Sequence, residues 1–314
     1  MRSWIGGVYL FCMVVLLITL ATGDLTASET GIEGKIFYEY EYHMTSGENA
    51  FNIERVYLTH RGNLAQTIKY RVTSDIAETG SGYLLSMKYA YIDWLHKKAG
   101  TITAGMLPTN AFDIQKGTWG LRYLQKTVMN HYRFSPSADL GIGYATRLGD
   151  GFSLSAILSN GGGYKQPESN RGKRVHLRFL FGTQELAKTG GVHFGIYGSA
   201  EPLPSDRSMV TGAVFMGLHS GPFWGGMELA HQQENGAGFT QTLGSVYGRY
   251  NVQQTLMPFL RWDISVWEHI QEQRILAGVE FSPIDGIRVA PNLVTSWDDS
   301  DHTFVARING EFRW

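Results

Sequence analysis

Cysteine is nearly absent from this chain, which has one in 314 residues, and charged residues make up only 18%. Because Cys12 lies within an apolar N-terminal run, the rest of the chain has no thiol for a disulfide, a zinc site or a nucleophile. A net charge of −1 gives no general attraction for nucleic acid, so no nucleic-acid partner is predicted. A chain of this size without disulfides needs a large core or a closed set of backbone hydrogen bonds.

Only one long apolar run is present, from Ile5 to Leu20, and no later run approaches the roughly 20 residues that a membrane-spanning helix needs. The run follows Arg2 and precedes small residues at 21–23 and 26–28. A basic start, a short apolar segment and a small-residue cleavage region are typical of a secretory signal peptide. We therefore predict a signal peptide at residues 1–27 and an exported domain at 28–314.

From about residue 35 onward, apolar and polar residues alternate with a period of two. Ile36, Tyr38 and Tyr40, for example, share one face of a segment whose other face carries Lys35 and Glu39. Such alternation predicts β-strands with one apolar and one polar face. One interpretation is a soluble β-sandwich or barrel whose polar face contacts solvent.

The predicted strands are too long and too numerous for an ordinary sandwich. Most span about 10 to 13 residues, against about 5 to 6 in soluble proteins, and there are about sixteen of them. Trp94, Trp267, Trp297 and Trp314 end the apolar faces, as in the aromatic belts of membrane barrels. We predict an all-β fold, a transmembrane antiparallel β-barrel of about sixteen strands over residues 28–314, closed because hydrocarbon cannot satisfy an open edge. Fourteen or eighteen strands also fit the pattern. The predicted strands are 35–43, 50–60, 64–75, 83–95, 100–107, 138–148, 151–160, 173–183, 190–200, 209–219, 222–232, 239–252, 256–267, 272–282, 286–297 and 303–313.

The connections between these strands are predicted to differ at the two ends of the barrel. Those after even-numbered strands are short, as at residues 61–63, whereas those after odd-numbered strands are longer, with 108–137 and 161–172 the longest. Short periplasmic turns and longer outer loops are typical of outer-membrane barrels. Residues 51–53 and 56–58 carry their apolar side chains in opposite phases, which predicts a β-bulge. Both faces of the strand at 83–95 carry apolar residues.

Motifs for catalysis or cofactor binding are missing from the sequence. The patterns G-x-x-x-x-G-K, G-x-G-x-x-G, H-E-x-x-H and G-x-S-x-G do not occur. Gly161-Gly162-Gly163 lies in a predicted loop before Tyr164 and Lys165, with no helix to follow. We therefore predict no enzyme activity, no cofactor and no metal site. An outer-membrane barrel enzyme of the lipase or protease type, and a structural or adhesive barrel, remain the alternatives.

Several blocks of sequence resemble one family in their order and spacing. Three come early, at Ala50–Leu58 (AFNIERVYL), Tyr89–Asp93 (YAYID) and Thr103–Pro108 (TAGMLP). The later ones are Ser135–Gly143 (SPSADLGIG), Phe259–Asp263 (FLRWD) and Ile275–Asn292 (ILAGVEFSPIDGIRVAPN). These blocks are similar to those of the phosphate-selective porin O and P family. The resemblance implies a sixteen-stranded outer-membrane barrel, usually a trimer, that passes small solutes by diffusion and folds its third outer loop, here 108–137, into the lumen.

The loop at 108–137 is the predicted constriction of the pore. Its cations are Lys116, Arg122, Lys126 and Arg133, and its one carboxylate is Asp113. If these side chains face the pore, they favour anions, because selectivity follows the radius and the lining charge of a constriction. The alternative is that they only solvate an external loop.

The polar face of the predicted wall has charges of both signs. Further predicted pore-lining residues are Lys69, Arg71, Arg174, Arg178, Arg261 and Asp263. Acidic residues on the same face offset the cations, so specificity for phosphate is not predicted. We expect an outer-membrane porin for small hydrophilic solutes with a mild preference for anions, in contact with outer-membrane lipid and with further copies of itself. Side chains such as Leu177 should face lipid, while Arg178 and Asp263 should face water and tolerate alanine.

Overall fold

Sixteen antiparallel strands form a closed barrel in which β1 pairs with both β2 and β16. The computed structural model describes residues 31–80, 82–168 and 170–314, so the predicted signal peptide lies outside the described residues. The strands are β1 (Gly31–His43), β2 (Asn49–Ala65), β3 (Ile68–Thr79), β4 (Gly82–His96), β5 (Gly100–Pro108), β6 (Ala138–Arg147), β7 (Phe152–Ser159), β8 (Arg174–Gly182), β9 (Gly191–Leu203), β10 (Arg207–Ser220), β11 (Phe223–Asn235), β12 (Phe239–Tyr250), β13 (Leu256–Trp267), β14 (Ile270–Ile284), β15 (Ile287–Trp297) and β16 (His302–Arg313).

Three short helices lie between strands: α1 (Asp113–Trp119), α2 (Val128–His131) and α3 (Leu186–Thr189). None of the helices in the described ranges is long and apolar enough to cross a bilayer.

The number, type and order of the strands are as the alternation predicts, and the largest disagreement concerns one turn. The sequence suggests a turn at residues 61–63, but β2 continues to Ala65 and the turn falls at residues 66–67. Arg61 and Asn63 pair with Arg71 and Lys69 of β3. At this end β2 extends beyond its apolar residues. The residues of the extension are polar and contact water, so their sequence resembles that of a turn.

The predicted difference in the length of the connections at the two ends of the barrel was only partly right. We call the end that holds Gly31 and Trp314 the terminal end and the opposite one the loop end. At the loop end two connections are long, 109–137 and 160–173, and all the others are five residues or fewer. At the terminal end one connection, 183–190, has eight residues, and the others have five or fewer. Tight turns are achieved with backbones of positive φ, as at Ser205 (63°) and Asp206 (58°) between β9 and β10.

Two β-bulges lie where the alternation of apolar and polar residues in the sequence is irregular. In the β1–β2 ladder the partner changes from Arg55 to Ile53, which confirms the predicted bulge and leaves Glu54 as the extra residue. In the β3–β4 ladder the partner changes from Tyr89 to Met87, so that Lys88 is the extra residue. A bulge re-aims a side chain, and Lys88 consequently points into the lumen, where its exposed fraction is 8%.

The outer surface of the barrel is apolar and is bounded by aromatic residues at both ends. Trp94 and Trp314 lie at the terminal end, and Trp267 and Trp297 lie at the loop end. The C-terminal residue closes the barrel, because the backbone of Trp314 exchanges hydrogen bonds of 3.1 and 3.2 Å with Gly34. A Cβ at position 34 would lie 1.9 Å from the indole ring, so only glycine allows Trp314 to pack there.

Candidate functional site: the pore and its constriction

The loop at residues 109–137 folds into the lumen and packs against one side of the barrel wall. Near the two ends of the loop, Phe112, Met129 and Phe134 are buried against Tyr197 of β9 and Leu243 of β12. The lumen-facing wall from β8 to β15 thus carries apolar side chains under the loop, and we call this wall the packed side.

The middle of the loop is the most deeply buried part of the site. Trp119 and Tyr123 are fully buried in a cluster with Tyr247 and Phe259, and the Trp119 ring meets both of these rings edge-on at 5.1 and 6.3 Å. The indole N–H donates to the carbonyl of Gln125 at 3.0 Å. Several large aromatic groups therefore hold the loop in place.

Local backbone geometry gives the loop its shape. Helix α1 ends at Gly120, whose φ of 68° is the left-handed conformation that favours glycine. The guanidinium of Arg249 packs directly on Gly120, where a Cβ would come within 2.6 Å of it. At the base of the loop, the hydroxyl of Thr109 donates to the carbonyl of Pro136 at 2.5 Å.

Buried ion pairs attach the loop to the packed side. Arg178 donates to the carboxylate of Asp113 and to the carbonyl of Asn110. Arg174 pairs with Glu201 at 2.8 Å and donates to the carbonyl of Phe134. These two arginines of β8 therefore fix one end of the loop each, and neither points into open water.

Two further arginines hold the middle of the loop. Arg261 donates to both carboxylate oxygens of Asp263 at 2.8 and 3.0 Å, and its guanidinium lies 5.1 Å from the Trp119 ring. Arg288 donates to the carbonyl of Gly120 at 3.1 Å and also pairs with Glu280. These charged side chains of the packed side therefore hold the loop in position.

The opposite wall, formed by β1 to β4 together with β16, faces an open cavity of about 630 Å³ that extends from the loop to the terminal end of the barrel, where Arg288 of β15 also lines it. We call this wall the pore side. The cavity is lined by eight cations and three carboxylates, although the chain as a whole is nearly neutral. The cations are Lys35, Arg61, Arg71, Lys88, Lys116, Arg122, Arg288 and Arg313, and the carboxylates are Glu33, Asp285 and Glu311.

The ten residues that the sequence nominated for the pore fall into three groups. Lys116, Arg122 and Arg71 line the cavity. Lys69 is exposed near the terminal end of β3, Arg133 is exposed at the loop end, and Lys126 is partly buried in the loop. The remaining four are buried beneath the loop, namely Arg174, Arg178, Arg261 and Asp263.

Three cations of the loop have no hydrogen-bond or ion-pair partner among the described residues. They are Lys116, Arg122 and Lys126. Burial, together with the nearby charge of Arg122, lowers the pKa of Lys126 to about 8, which leaves it cationic at neutral pH. Burial lowers the pKa of His131 to about 3, so that side chain is neutral. The loop therefore presents unpaired positive charge to the cavity.

Sequence reasoning missed five cations of the cavity lining, namely Lys35, Arg61, Lys88, Arg288 and Arg313, and also Arg55 beside it. For two of these six, the reason is visible in the structure. Arg55 pairs with Asp75 at 2.7 Å, and Lys88 donates to the hydroxyl of Tyr57 at 3.2 Å. Both lie next to or within bulges, which shift them out of the phase that simple alternation assigns. The available signal was a lone lysine inside an apolar stretch, because such a charge cannot remain facing hydrocarbon.

Possible metal ligands are scattered: within the described ranges, no group of three or more histidine, cysteine, aspartate or glutamate residues is placed to hold a metal ion.

Comparison with known families identifies the barrel. The family described as phosphate-selective porin O and P matches residues 34–214, more than half of the chain. The chain belongs to this family. It is an outer-membrane porin. No curated protein matches the sequence.

Solved structures show the same fold for this porin at low sequence identity. OmpF of Salmonella typhi, solved with daunomycin, has a TM-score of 0.72 at 12% identity and aligns over 91% of this chain and 98% of its own. The anion-selective porin from Comamonas acidovorans has a TM-score of 0.68 at 10% identity, over 92% of this chain and 100% of its own. OmpT of Vibrio cholerae, described as a trimer form, has a TM-score of 0.68 at 12% identity over the same shares.

Proposed function

We propose that this porin passes small anions in preference to cations, and that Lys116 and Arg122 of the inward loop set this preference. Both side chains line the cavity and lack a hydrogen-bond or ion-pair partner within the described structure. The one carboxylate of the loop, Asp113, is occupied by Arg178. The unpaired state of these two cations is the observation that carries the proposal.

The charges on the wall opposite the loop support the same direction. Arg71 and Lys88 also line the cavity, whereas Asp75 is fully buried and paired with Arg55. A positive potential of one or two kT at a narrow point would raise the local anion concentration several-fold. Charges enclosed by a protein wall are screened less by salt than charges on an open surface.

The test is the reversal potential of purified protein in planar bilayers across a potassium chloride gradient. We expect the unmodified channel to favour chloride, and Lys116→Gln combined with Arg122→Gln to shift the potential toward potassium. The matched control is Lys97→Gln with Lys98→Gln, two exposed lysines in the β4–β5 turn that do not line the cavity. A reversal potential that stays the same in the first double variant contradicts the proposal.

Ionic strength provides a second readout of the same proposal. An electrostatic preference weakens as the Debye length falls from about 10 Å at 0.1 M salt to about 3 Å at 1 M. A chloride preference that stays constant over this range would indicate that pore size, rather than charge, discriminates between the ions.

We assign the other nominated residues different parts in this function. Arg174, Arg178, Arg261 and Asp263 act by holding the loop, and Lys69 and Arg133 attract ions at the two mouths of the pore.

We further propose that residues 1–27 are a signal peptide removed on export, that the terminal end faces the periplasm, that the protein works as a homotrimer, and that it acts without catalysis. The trimer form of OmpT supports the oligomeric part of this proposal.

A further inference from the structure

A second loop at the loop end also enters the lumen, and the ion preference proposed above makes no use of it. The first part of this loop, residues 160–168, begins after β7 and includes the Gly161-Gly162-Gly163 run. The backbone N–H groups of Gly161 and Gly163 donate to the carboxylate of Asp139 at 2.5 and 3.3 Å. The N–H of Tyr164 donates to the carbonyl of Ala138 at 3.1 Å. The start of the loop is therefore fixed to β6.

The glycines are required for this inward path. Gly161 and Gly163 have φ of 102° and 80°, a region that other residues rarely adopt. A Cβ at Gly161 would lie 2.3 Å from the carboxylate of Glu201, and one at Gly163 would lie 2.7 Å from Pro136. The backbone thus passes close to the wall and directs the following side chain into the lumen.

That side chain is Tyr164, and it reaches β3, four strands away from β7 around the barrel. Its hydroxyl donates to Oδ2 of Asp75, on β3, at 2.5 Å. Arg55 of β2 donates to the same carboxylate oxygen and lies 3.5 Å from the tyrosine hydroxyl, while the Lys88 ammonium lies 5.4 Å from the ring. Burial and the adjacent carboxylate raise the pKa of Tyr164, so the phenol stays protonated and continues to donate.

The position of this contact relative to the cavity is informative. The cavity lining on the pore side includes Tyr57 of β2 and Thr73 of β3. One step closer to the loop end on the same strands come Arg55 and Asp75, which are outside the lining and are in contact with Tyr164. The contact between Tyr164 and β3 therefore borders the cavity on the side of the loop end and occupies the part of the lumen between β3 and β7.

We propose that Tyr164, held against β3 by Asp75, is a constricting residue of the pore and limits the size of the solutes that enter. The loop at 109–137 narrows the channel from the packed side, and Tyr164 narrows it at the loop end of the cavity. This role concerns size and not charge, so it holds or fails independently of the anion preference.

The test compares Tyr164→Ala with the unmodified porin, using single-channel conductance and the swelling of liposomes in neutral sugars. Removal of the ring should raise conductance by about 1.5-fold or more, because conduction follows the narrowest radius. Uptake of a trisaccharide such as raffinose should rise relative to a pentose such as arabinose. Because these sugars are neutral, the sugar result does not depend on Lys116 or Arg122.

A second variant and a control keep the test decisive. Tyr164→Phe retains the ring but loses the bond to Asp75, and we expect a noisier open channel with a smaller rise in conductance. Tyr144→Phe is the control, because that hydroxyl donates to the carbonyl of Ala99 on the outer, lipid-facing surface. It should leave conductance and sugar uptake unchanged.

The outcomes separate this inference from the function proposed above. Wild-type conductance and sugar ratio in inserted Tyr164→Ala would overturn the role of Tyr164 and leave the anion preference untouched. If Tyr164→Ala does not insert, Tyr164→Phe decides the question, and unchanged current noise and conductance in that variant would overturn the inference equally. An unmodified protein that gives no channels would instead defeat the pore function as a whole.

Discussion

The packed side and the pore side of the barrel have similar sequence patterns but use their charges differently. On the packed side, Arg174 and Arg261 have exposed fractions of 7% and 1% and are bound to carboxylates. On the pore side, Arg71 remains partly exposed and stacks on the ring of Tyr89 at 4.5 Å. A lumen-facing arginine that the loop covers thus stabilises the structure. A lumen-facing arginine that the loop leaves uncovered can act on solutes.

This difference shows that facing the lumen is not the same as lining the pore. The loop at 109–137 fills the space beside β8–β15 with Trp119, Tyr123 and Phe134, all fully buried. Water and solutes are left with the space along β1–β4 and β16. The position of one loop therefore decides which of the two walls lines the open cavity.

The largest effect should come from breaking an ion pair on the packed side. Asp263→Ala leaves Arg261 buried without its partner, and we expect a loss of about 3 to 5 kcal/mol in the free energy of unfolding. This reverses the sequence-based expectation that Asp263 tolerates alanine, because the structure buries it under the loop. Urea unfolding in lipid vesicles, followed by tryptophan fluorescence, measures the change.

The pore-side counterpart of that variant is Arg71→Ala. Its guanidinium is partly exposed to the cavity, so the change should alter the free energy of unfolding by less than about 1 kcal/mol. Equal losses in Asp263→Ala and Arg71→Ala would mean that the two walls do not differ as described.

A somewhat smaller loss is expected on the outer surface, which both walls share. Leu177 of β8 is 40% exposed toward the bilayer. Leu177→Arg should cost about 2 to 4 kcal/mol, because the guanidinium would face hydrocarbon. Leu177→Met, which conserves volume, should cost less than about 1.5 kcal/mol. Tolerance of arginine at this position in the same vesicle assay would argue against a lipid-facing surface.

The smallest effect concerns pH and Lys126 of the loop at 109–137. Because the pKa of Lys126 is lowered to about 8, its charge is present below that pH and is lost above it. The neighbouring charges are Arg122 on the same loop, Arg55 and Glu54 on β2, and Lys165 on the second loop. We expect the chloride preference, measured as reversal potential, to fall slightly between pH 7 and pH 9.

Lys126→Arg supplies the control for the pH effect, because arginine keeps its charge throughout this range. The variant should retain its chloride preference at pH 9. The same fall in the variant and in the unmodified channel would assign the titration to a different group.

The sequence predicted the barrel well because alternation directly records which face of a strand contacts hydrocarbon. It nominated Arg71 because charge is stable only on the wet face of a strand, and Lys116 and Arg122 because the family resemblance implies an inward loop. All three side chains line the cavity. The sequence could not separate Arg71 from Arg261, since both alternate in phase with the lumen and only the packing of a distant loop distinguishes them. Lys88 was missed because a one-residue bulge changes its direction.

The contact between Tyr164 and Asp75 was also beyond reach from sequence. The two residues are 89 positions apart, and their meeting depends on the closure of the barrel and on the inward path of the glycine run. The two long loops are visible as gaps in the alternation, but the direction in which a loop folds depends on the side chains that it meets.

The contrast between the two walls is tested most directly by the accessibility of single cysteines to a negatively charged thiol reagent added to open channels. Cys12 is the only natural cysteine and lies in the predicted signal peptide, so each introduced thiol would be unique in the exported protein. Lys116→Cys reports the cavity. Ser155→Cys, on β7 next to the packed side, reports wall that the loop covers, because Asn110 of the loop donates to the Ser155 hydroxyl at 3.0 Å. We predict rapid reaction and a drop in current at position 116, with no reaction at position 155 until the protein is unfolded. Similar reaction rates at the two positions would contradict the division of the lumen into a packed side and a pore side.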